Sequence, residues 1–115
     1  MIEKIKGGHV DYLFKAMMAL ENIDEFYKFF DDICTIAEVF EMSKRLQAAK
    51  MLRDGTVYSE VSEKTGLSTA TISRVSRCLK YGSDGYALVL DRLAESEESE
   101  KSKKSENGDK NDEER

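Results

Sequence analysis

Apolar residues recur every three or four positions along most of the chain, and no segment shows the sustained two-residue alternation of a half-buried strand. The sequence also contains no proline, so only glycines and polar clusters divide the helical segments. This pattern predicts an all-α protein. Six helices are expected, over residues 10–21, 24–31, 36–54, 58–64, 68–81 and 83–93.

The first three predicted helices carry apolar surfaces that need to be covered. The helix over residues 10–21 is apolar on two sides, which predicts burial against more than one neighbour. In the second helix Phe26, Tyr27 and Phe30 form one stripe, and aromatic stripes at this spacing are typical of a core and not of a ligand site. The third helix is expected to turn four residues inward, namely Val39, Met42, Leu46 and Ala49.

Residues 65–82 have the form of the second half of a helix-turn-helix. Gly66 offers the left-handed backbone conformation that a sharp turn between two helices requires. Ser68 is the expected N-cap of the following helix, because its hydroxyl can accept a hydrogen bond from the backbone of the first turn. Gly82 is placed to end that helix. These three residues therefore bound one well-defined helix.

A helical wheel of residues 68–81 separates a packing side from an outward side. The packing side is expected to contact Val61 and Leu67, and it consists of Ile72, Val75 and Leu79. The outward side and the N-terminal tip hold small, hydroxylated, aromatic and cationic residues. These are Thr69, Ala70, Thr71, Ser73, Arg74, Arg77 and Tyr81.

This outward side has the composition of a DNA-reading surface. Small and hydroxylated residues at the tip can enter a major groove and touch base edges, while the arginines further along can reach phosphates. Lys80 adds a third cation, and residues 65–82 contain no acidic residue. An ordinary solvated helix face would explain the charges alone, but the turn glycine, the cap and the lack of acidic residues together favour DNA.

The net charge of −5 does not argue against nucleic acid, because the acidic excess is concentrated at one end. After Ala94 the chain holds nine of its 23 acidic residues, five of its 18 Lys and Arg residues and no apolar residue. Residues 1–93 therefore keep 13 basic and 14 acidic residues and are nearly neutral. The expected organisation is an N-terminal extension over residues 1–9, a folded domain over 10–93 and a disordered acidic tail over 94–115.

The sequence does not point to an enzyme, a metal site or a membrane segment. Cys34, Cys78 and the single histidine, His9, lack the neighbours that a zinc site or a disulfide framework would need. A glycine-rich phosphate loop is missing, and the acidic pair Asp31 and Asp32 is ordinary for the end of a helix. The N-terminal residues carry charges where a signal peptide needs an apolar run. We therefore expect a cytoplasmic, non-enzymatic protein without a cofactor and without membrane contact.

The amino-acid sequence around the turn resembles that of one protein family. STATISRV and SRCLKYG, preceded by EFYKFFDDICTIAEV and KRLQAAKMLRDG, are similar to the Trp repressor superfamily, and specifically to its Trp-repressor-related YerC/YecD branch. The resemblance covers residues 10–93. It implies a six-helix, all-α subunit that intertwines with a second copy to form a homodimer with a shared core.

The resemblance also implies how such a dimer would bind DNA. Its two reading helices would lie about 34 Å apart and would match a pseudo-palindromic operator. By the family pattern, the base-reading residues are Thr69, Ala70, Thr71 and Ser73. Arg53 and Lys64 would lie beside the DNA backbone, with Lys50 as a further neighbour.

In the Trp repressor, tryptophan binds as a corepressor between two arginines, near a threonine and against a glycine. Aligned residue by residue, this effector pocket corresponds to Thr35, Arg45, Arg74 and Val75. Val75 stands in place of the glycine, and its branched side chain would occupy the space of the indole ring, at a cost of about 1–3 kcal/mol. We therefore expect that tryptophan does not control this protein, and that DNA binding is constitutive or governed by another ligand.

The sequence thus predicts a sequence-specific, DNA-binding transcriptional regulator, with repression by promoter occlusion as its expected outcome. Its expected partners are double-stranded DNA and a second copy of the chain. One alternative stays open, in which the helix-turn-helix contacts a protein in place of DNA, as an adaptor. Salt distinguishes the two, because binding through phosphates weakens steeply as salt rises and an apolar protein contact does not.

Overall fold

The computed structural model describes residues 2–106, and within them it contains six α-helices and no strand. The predicted all-α class with six helices is confirmed. A 3₁₀ helix over Ile2–Ile5 precedes the first α-helix. In chain order the α-helices are α1 Gly8–Met18, α2 Ile23–Ile33, α3 Ile36–Arg53, α4 Tyr58–Thr65, α5 Thr69–Tyr81 and α6 Gly85–Glu106.

Contacts between residues divide the chain into two compact units, Met1–Met42 and Ser43–Arg115. The first unit holds α1, α2 and the start of α3. The second unit holds the rest of α3 together with α4, α5 and α6. The predicted helix-turn-helix therefore lies wholly in the second unit.

Side chains define the starts of two helices in the first unit. Asn22 caps α2, because its side-chain oxygen accepts a hydrogen bond from the Glu25 N–H at 3.0 Å. Thr35 and Glu38 begin α3 with a reciprocal pair of bonds. The Thr35 hydroxyl accepts from the Glu38 N–H at 3.1 Å, and the Glu38 carboxylate accepts from the Thr35 N–H at 2.8 Å. This capping box satisfies two backbone donors that the helix itself leaves unpaired.

The first unit buries little of its apolar surface within the chain. α1 and α2 contain no buried residue. Phe26 stacks on Phe30 with ring centroids 6.2 Å apart, and Phe29 meets Phe30 edge-on at 5.6 Å. Tyr27 remains 72% exposed, so the core role predicted for the aromatic stripe is not met within the single chain. The short helices of this unit offer one another too little surface to cover the stripe.

The second unit contains two clusters of buried apolar residues. The first joins α3, α4 and α5 and consists of Ala48, Val61, Leu67 and Ile72. The second joins α3, α5 and α6 and consists of Ala49, Val75 and Leu90, with Leu46, Leu79 and Tyr86 packed against it. Of the four residues expected to face inward from α3, Ala49 is fully buried, whereas Met42 is 49% exposed and belongs to the first unit. The core thus lies under the C-terminal half of α3.

The packing side of α5 is divided between these two clusters. Ile72 packs with Val61 and Leu67, as predicted. Val75 and Leu79 do not join them and pack in the cluster that includes α6. Two residues three positions apart are turned by about 60° around a helix, so Ile72 and Val75 face different neighbours. The helical wheel identified the inward side correctly and its contacts only in part.

α6 is longer than predicted. It continues to Glu106, where the prediction ended it at Leu93, so the first part of the expected disordered tail is helical. Glutamate and lysine are good helix formers, and Glu97 precedes Lys101 by four positions, the spacing at which opposite charges attract across one turn. The rest of the predicted tail, residues 107–115, lies outside the described residues.

Candidate nucleic-acid interface

The turn between α4 and α5 is held by hydrogen bonds among its own residues. Gly66 has the predicted left-handed conformation, with φ 78° and ψ 4°, and its N–H donates to the Ser62 carbonyl at 2.8 Å. The Ser62 hydroxyl donates to the Leu67 carbonyl at 2.8 Å. The Thr65 hydroxyl donates to the Val61 carbonyl at 2.7 Å and accepts from the Leu67 N–H at 3.2 Å. The turn therefore satisfies these backbone groups internally.

The N-terminus of α5 carries the predicted cap. The Ser68 hydroxyl accepts a hydrogen bond from the Thr71 N–H at 3.2 Å. It also donates a hydrogen bond to the Thr71 hydroxyl at 3.2 Å. Thr71 is half-buried, whereas Thr69 and Ala70 are exposed at the tip. Among the residues expected at the tip, Thr71 is the least accessible, and its hydroxyl is engaged by the cap.

The outward side of α5 forms an open groove of about 410 Å³. Its lining residues are Ala70, Ser73, Arg74, Arg77, Cys78, Tyr81 and Gly82. The structure therefore brings together five residues of the predicted DNA-reading side, which are all of these except Cys78 and Gly82. The opposite side of the helix is buried, with Ile72 fully covered and Val75 only 3% exposed. One helix thus presents a supported back and an accessible front.

Two lining residues of this groove were not among the predicted contacts. Cys78 lies one turn beyond Arg74, so the same helical wheel would have placed it on the outward side. Gly82 ends α5 as predicted, but with an ordinary negative φ of −85° and not through a left-handed turn. A Cβ atom at Gly82 would lie 2.5 Å from the Cys78 carbonyl oxygen, so a larger residue would force the helix end to shift.

The three cations of α5 have no acidic partner among the residues that the structure describes. Arg74 and Arg77 line the groove, and Lys80 is exposed on the same helix without lining it. No acidic residue occurs in α5 that could neutralise them. Cations in this state attract anionic groups, and the phosphates of a nucleic acid are one such partner.

Two cations outside α5 that were expected near a DNA backbone are paired within their own helices. Lys64 contacts Glu60 at 3.1 Å on α4, and Lys50 contacts Asp54 at 3.4 Å at the end of α3. All four side chains are at least 48% exposed. Exposed pairs of this kind contribute about 0–1 kcal/mol, so either lysine can leave its partner for a phosphate at little cost.

Arg53, the third such cation, has a different environment. Its guanidinium contacts the Asp91 carboxylate of α6. The same guanidinium donates to the Ala87 carbonyl at 3.4 Å, one turn earlier on α6. Arg53 therefore joins two helices, whereas each of the lysine pairs stays within one helix.

The residues of the predicted effector pocket lie in dissimilar surroundings. Thr35 belongs to the first unit, where it caps α3 and lines an apolar cleft of about 430 Å³ with Phe30 and Val39. Arg74 lies in the outward groove of α5. Val75 points away from that groove into the core. There its side chain is expected to fill space that a glycine would leave empty.

Arg45, the remaining residue of that set, lies close to Tyr86. Burial raises the pKa of Tyr86 above its ordinary value of 10.0, the nearby Cys78 raises it further, and the positive charge of Arg45 opposes both. Tyr86 packs against the core cluster that contains Val75. Ionisation of the Tyr86 phenol is therefore disfavoured in the folded chain.

Other classes of site find no support within the part of the chain that the structure covers. There, no three side chains of histidine, cysteine, aspartate or glutamate are grouped so that they could hold a metal ion. Cys34 and Cys78 are free thiols. None of the described helices combines the length and the apolar character needed to span a bilayer.

Comparison with known proteins shows where the chain belongs. Residues 8–94 match the family model of the Trp repressor protein. The uncharacterized protein YerC of Bacillus subtilis (strain 168) is 49% identical over 96 residues, which cover 84% of this chain and 92% of the relative.

Two solved structures share the fold. One, from Staphylococcus aureus and described as a candidate Trp repressor, has a TM-score of 0.79 and 49% identity, and the match covers 82% of this chain and 94% of the other. A TrpR-like protein from Eubacterium eligens ATCC 27750 has a TM-score of 0.77 and 51% identity, with 80% and 95% covered. The chain therefore belongs to the Trp repressor family, in its Trp-repressor-related YerC branch.

Proposed function

We propose that this protein is a sequence-specific, DNA-binding transcriptional regulator that acts in the cytoplasm as a repressor, by occluding a promoter. The observation that carries the proposal is the outward face of α5. There, Arg74, Arg77 and Lys80 have no acidic partner within residues 2–106, and they lie beside an exposed and uncharged tip. Membership of a family of regulators, and not of enzymes, supports the same conclusion.

The length of α5 divides the proposed contacts between bases and phosphates. A helix rises about 1.5 Å per residue, and the major groove is about 8.5 Å deep, so only the first five or six residues of an inserted helix lie at base level. These include Thr69, Ala70 and Ser73, all exposed. Arg74 falls near the rim of the groove and Arg77 above it, at the level of the phosphates.

The chemistry of the tip favours contacts that read the methyl group of thymine and hydrogen-bonding base edges. Ala70 offers only a methyl group, while Thr69 and Ser73 can donate or accept a hydrogen bond. Thr71 has its hydroxyl engaged by Ser68, so we assign it contact through its methyl group and a role in fixing the tip. Lys64 is retained as a phosphate contact on α4, because its pair with Glu60 is exposed.

We propose that the protein binds DNA as an intertwined homodimer. The supporting observation is the uncovered apolar surface of the first unit, whose α1 and α2 bury no residue. Large side chains there are more than 70% exposed, namely Tyr12, Met18, Ile23, Tyr27 and Ile36. Surfaces of this kind on a soluble protein mark an interface. A second copy presents the same surface and would cover it, in agreement with the two-sided apolar pattern of α1.

A two-fold dimer defines the kind of operator. The two α5 helices would enter successive major grooves about 34 Å apart on one side of the duplex, so the target would be pseudo-palindromic with half-sites one helical turn apart. Each half-site would be read by one copy of Thr69, Ala70 and Ser73. Because both subunits contact phosphates, the affinity would fall steeply with salt.

We further propose that tryptophan does not control this binding. Val75 is buried against Ala49 and Leu90, so an indole ring could enter that space only by displacing core side chains. The α4–α5 turn and the Ser68 cap already hold α5 in place through their own hydrogen bonds. We expect that adding tryptophan does not change the affinity for DNA. Micromolar binding of tryptophan in a calorimetric titration would overturn this part of the proposal.

The proposal is tested by selecting bound sequences from a random pool of double-stranded DNA with the full chain. The expected result is an enriched pseudo-palindrome with half-sites about one helical turn apart, which gives specificity, spacing and symmetry together. An Ala70→Asp variant serves as the matched control and should enrich no sequence. Failure of the parent protein to retain any DNA at low salt would refute a DNA-binding function.

A second candidate function is an adaptor whose helix-turn-helix contacts a protein. The exposed apolar residues of the first unit favour it, because the same surface that we assign to a second copy could instead receive another protein. The two functions differ in oligomeric state and in salt dependence. A purified chain that is monomeric, and whose partner contact is insensitive to salt, would favour the adaptor.

A further inference from the structure

Arg53 lies at the last residue of α3, and its guanidinium holds α6 at two points, the Asp91 carboxylate and the Ala87 carbonyl. We propose that Arg53 and Asp91 form a clamp that positions α5 for DNA, and that Arg53 is not itself a phosphate contact. The inference rests on the proposed DNA-binding function. It assigns a role to Asp91 and replaces the backbone contact expected of Arg53 from the sequence.

The clamp is connected to α5 through Leu90. Ala87 and Asp91 are one turn apart on α6, and Leu90 lies within the same turn. Leu90 is 8% exposed and packs in the cluster that contains Val75 of α5. Val75 follows Arg74, the residue assigned to the rim of the groove. Fastening this turn of α6 to the end of α3 therefore fixes the support behind the DNA-facing side of α5.

The chemistry of Arg53 suits this role better than a phosphate contact. A guanidinium presents a rigid fork of donors, so one side chain can hold two acceptors on successive turns of a helix, which an ammonium group does less well. The carboxylate of Asp91 also cancels the charge that a phosphate would meet at Arg53. By contrast, Arg74, Arg77 and Lys80 have no acidic partner in the described chain.

The Asp91→Asn variant separates the two roles by the sign of its effect. Removing a negative charge from a DNA-binding protein strengthens attraction to phosphates, and freeing Arg53 to contact DNA would add to the gain. If Asp91 is part of a positioning clamp, the same substitution weakens operator binding by about two- to fivefold, the range expected for the loss of one partly exposed ion pair. Arg53→Gln should weaken binding to a similar extent.

The slope of binding affinity against salt concentration gives a second, independent readout. Removing a side chain that neutralises one phosphate lowers that slope by about 0.9, whereas removing a positioning side chain leaves it unchanged. We therefore expect Arg53→Gln to keep the slope of the parent. A charge exchange, Arg53→Glu with Asp91→Arg, should recover most of the lost affinity, although it places a carboxylate where the phosphate contact was expected.

Asp54→Asn is the matched control. It removes the same charge near the same end of α3, but the Lys50–Asp54 pair joins the last turn of α3 to the residue that follows it and reaches no second helix. Its operator affinity should equal or exceed that of the parent. All variants are compared at a temperature where circular dichroism shows them fully helical, so that a change in folded fraction does not enter the affinities.

Hydrogen exchange of the backbone amides in the absence of DNA tests the clamp without reference to function. Asp91→Asn should speed exchange in α5 and in the first turns of α6, and Asp54→Asn should not. Three outcomes would each overturn the positioning role. They are a higher operator affinity of Asp91→Asn, a lower salt slope of Arg53→Gln, and a further loss of operator affinity in the charge-exchanged variant. A parent chain that binds no DNA would refute the proposed function, and the exchange rates would then decide the clamp alone.

Discussion

The two compact units of this chain treat their apolar residues in opposite ways. In the second unit, α3, α4, α5 and α6 enclose Ala48, Ala49, Val61 and Ile72 completely. In the first unit, α1 and α2 bury no residue and leave aromatic and aliphatic side chains in contact with solvent. A unit that completes its own core can hold a reading helix at a defined angle. A unit that does not complete its core has apolar surface available for the second copy that we propose.

Ile72→Ala and Met18→Ala test this difference most directly. Ile72 is fully buried between α4 and α5, so its truncation should cost about 2–5 kcal/mol of unfolding free energy, measured by chemical denaturation. Met18 is 77% exposed in the subunit, so its truncation should matter only through a second copy. At one protein concentration the Met18→Ala variant should therefore unfold at a lower denaturant midpoint than the parent, and sedimentation should show weaker self-association.

Concentration-independent unfolding of the parent, together with a monomer mass in sedimentation, would break the comparison. The first unit would then expose its apolar face for another reason. Loss of stability in Met18→Ala without any change in self-association would lead to the same conclusion, because it would place Met18 in a core of the subunit itself.

Ala70→Asp should have the largest effect on DNA binding. The substitution places a carboxylate at the exposed tip of α5, where it would face bases and phosphates in the groove, and we expect about a 100-fold or greater loss of operator affinity in a gel-shift titration. Ser96→Asp adds the same charge to an exposed position of α6 and serves as the control. If the two variants bind equally well, the assigned reading face is wrong.

Arg74→Ala should reduce affinity by about tenfold for all DNA sequences and lower the salt slope by about 0.9 for each phosphate that the guanidinium neutralises. Lys64→Ala should reduce affinity by only about twofold, since Lys64 already shares its charge with Glu60. Fluorescence anisotropy on operator and random DNA, over a range of salt, measures both quantities. A larger loss of DNA affinity in Lys64→Ala than in Arg74→Ala would indicate that the main phosphate contacts lie on α4 and not on α5.

The smallest expected effect concerns pH. Burial and Cys78 raise the pKa of Tyr86 in the folded chain above the ordinary value of 10.0. The group therefore contributes stability that is fully present below the unfolded pKa and is lost as the pH rises through the folded pKa. As the pH rises above about 10, the parent should lose stability faster than Tyr86→Phe, as measured by denaturant midpoints. If stability falls equally with pH in the two proteins, the pKa of Tyr86 is not raised by folding.

Local features of the site could be predicted because their physical causes are local. The left-handed turn at Gly66 and the cap at Ser68 depend on one glycine and one hydroxyl, and both were identified from a few neighbouring letters. The outward face of α5 follows from helical periodicity alone. Membership of the Trp repressor family was also recognisable, since the matching sequence over residues 10–93 is long and specific.

Features that depend on distant parts of the chain could not be predicted in the same way. The assignment of Val75 to the α6 cluster and of Ile72 to the α4 cluster requires the positions of three helices. Arg53 finds Asp91 across 38 positions of sequence, and no periodicity links them. The end of α6 was misjudged because a segment rich in glutamate, lysine and serine satisfies the compositional criteria for both disorder and helix.

The internal hydrogen bonds of the α4–α5 turn bear on how quickly this protein can find its target. Ser62, Thr65 and Leu67 close the turn among themselves, so no folding of the turn needs to accompany association. In the proposed complex with DNA, the encounter would be limited by diffusion and by the attraction between the α5 cations and the duplex, and the chain would slide along nonspecific DNA with α5 already shaped for the operator. Association rates should accordingly rise in proportion to DNA concentration without a plateau, and residence time on the operator should set occupancy.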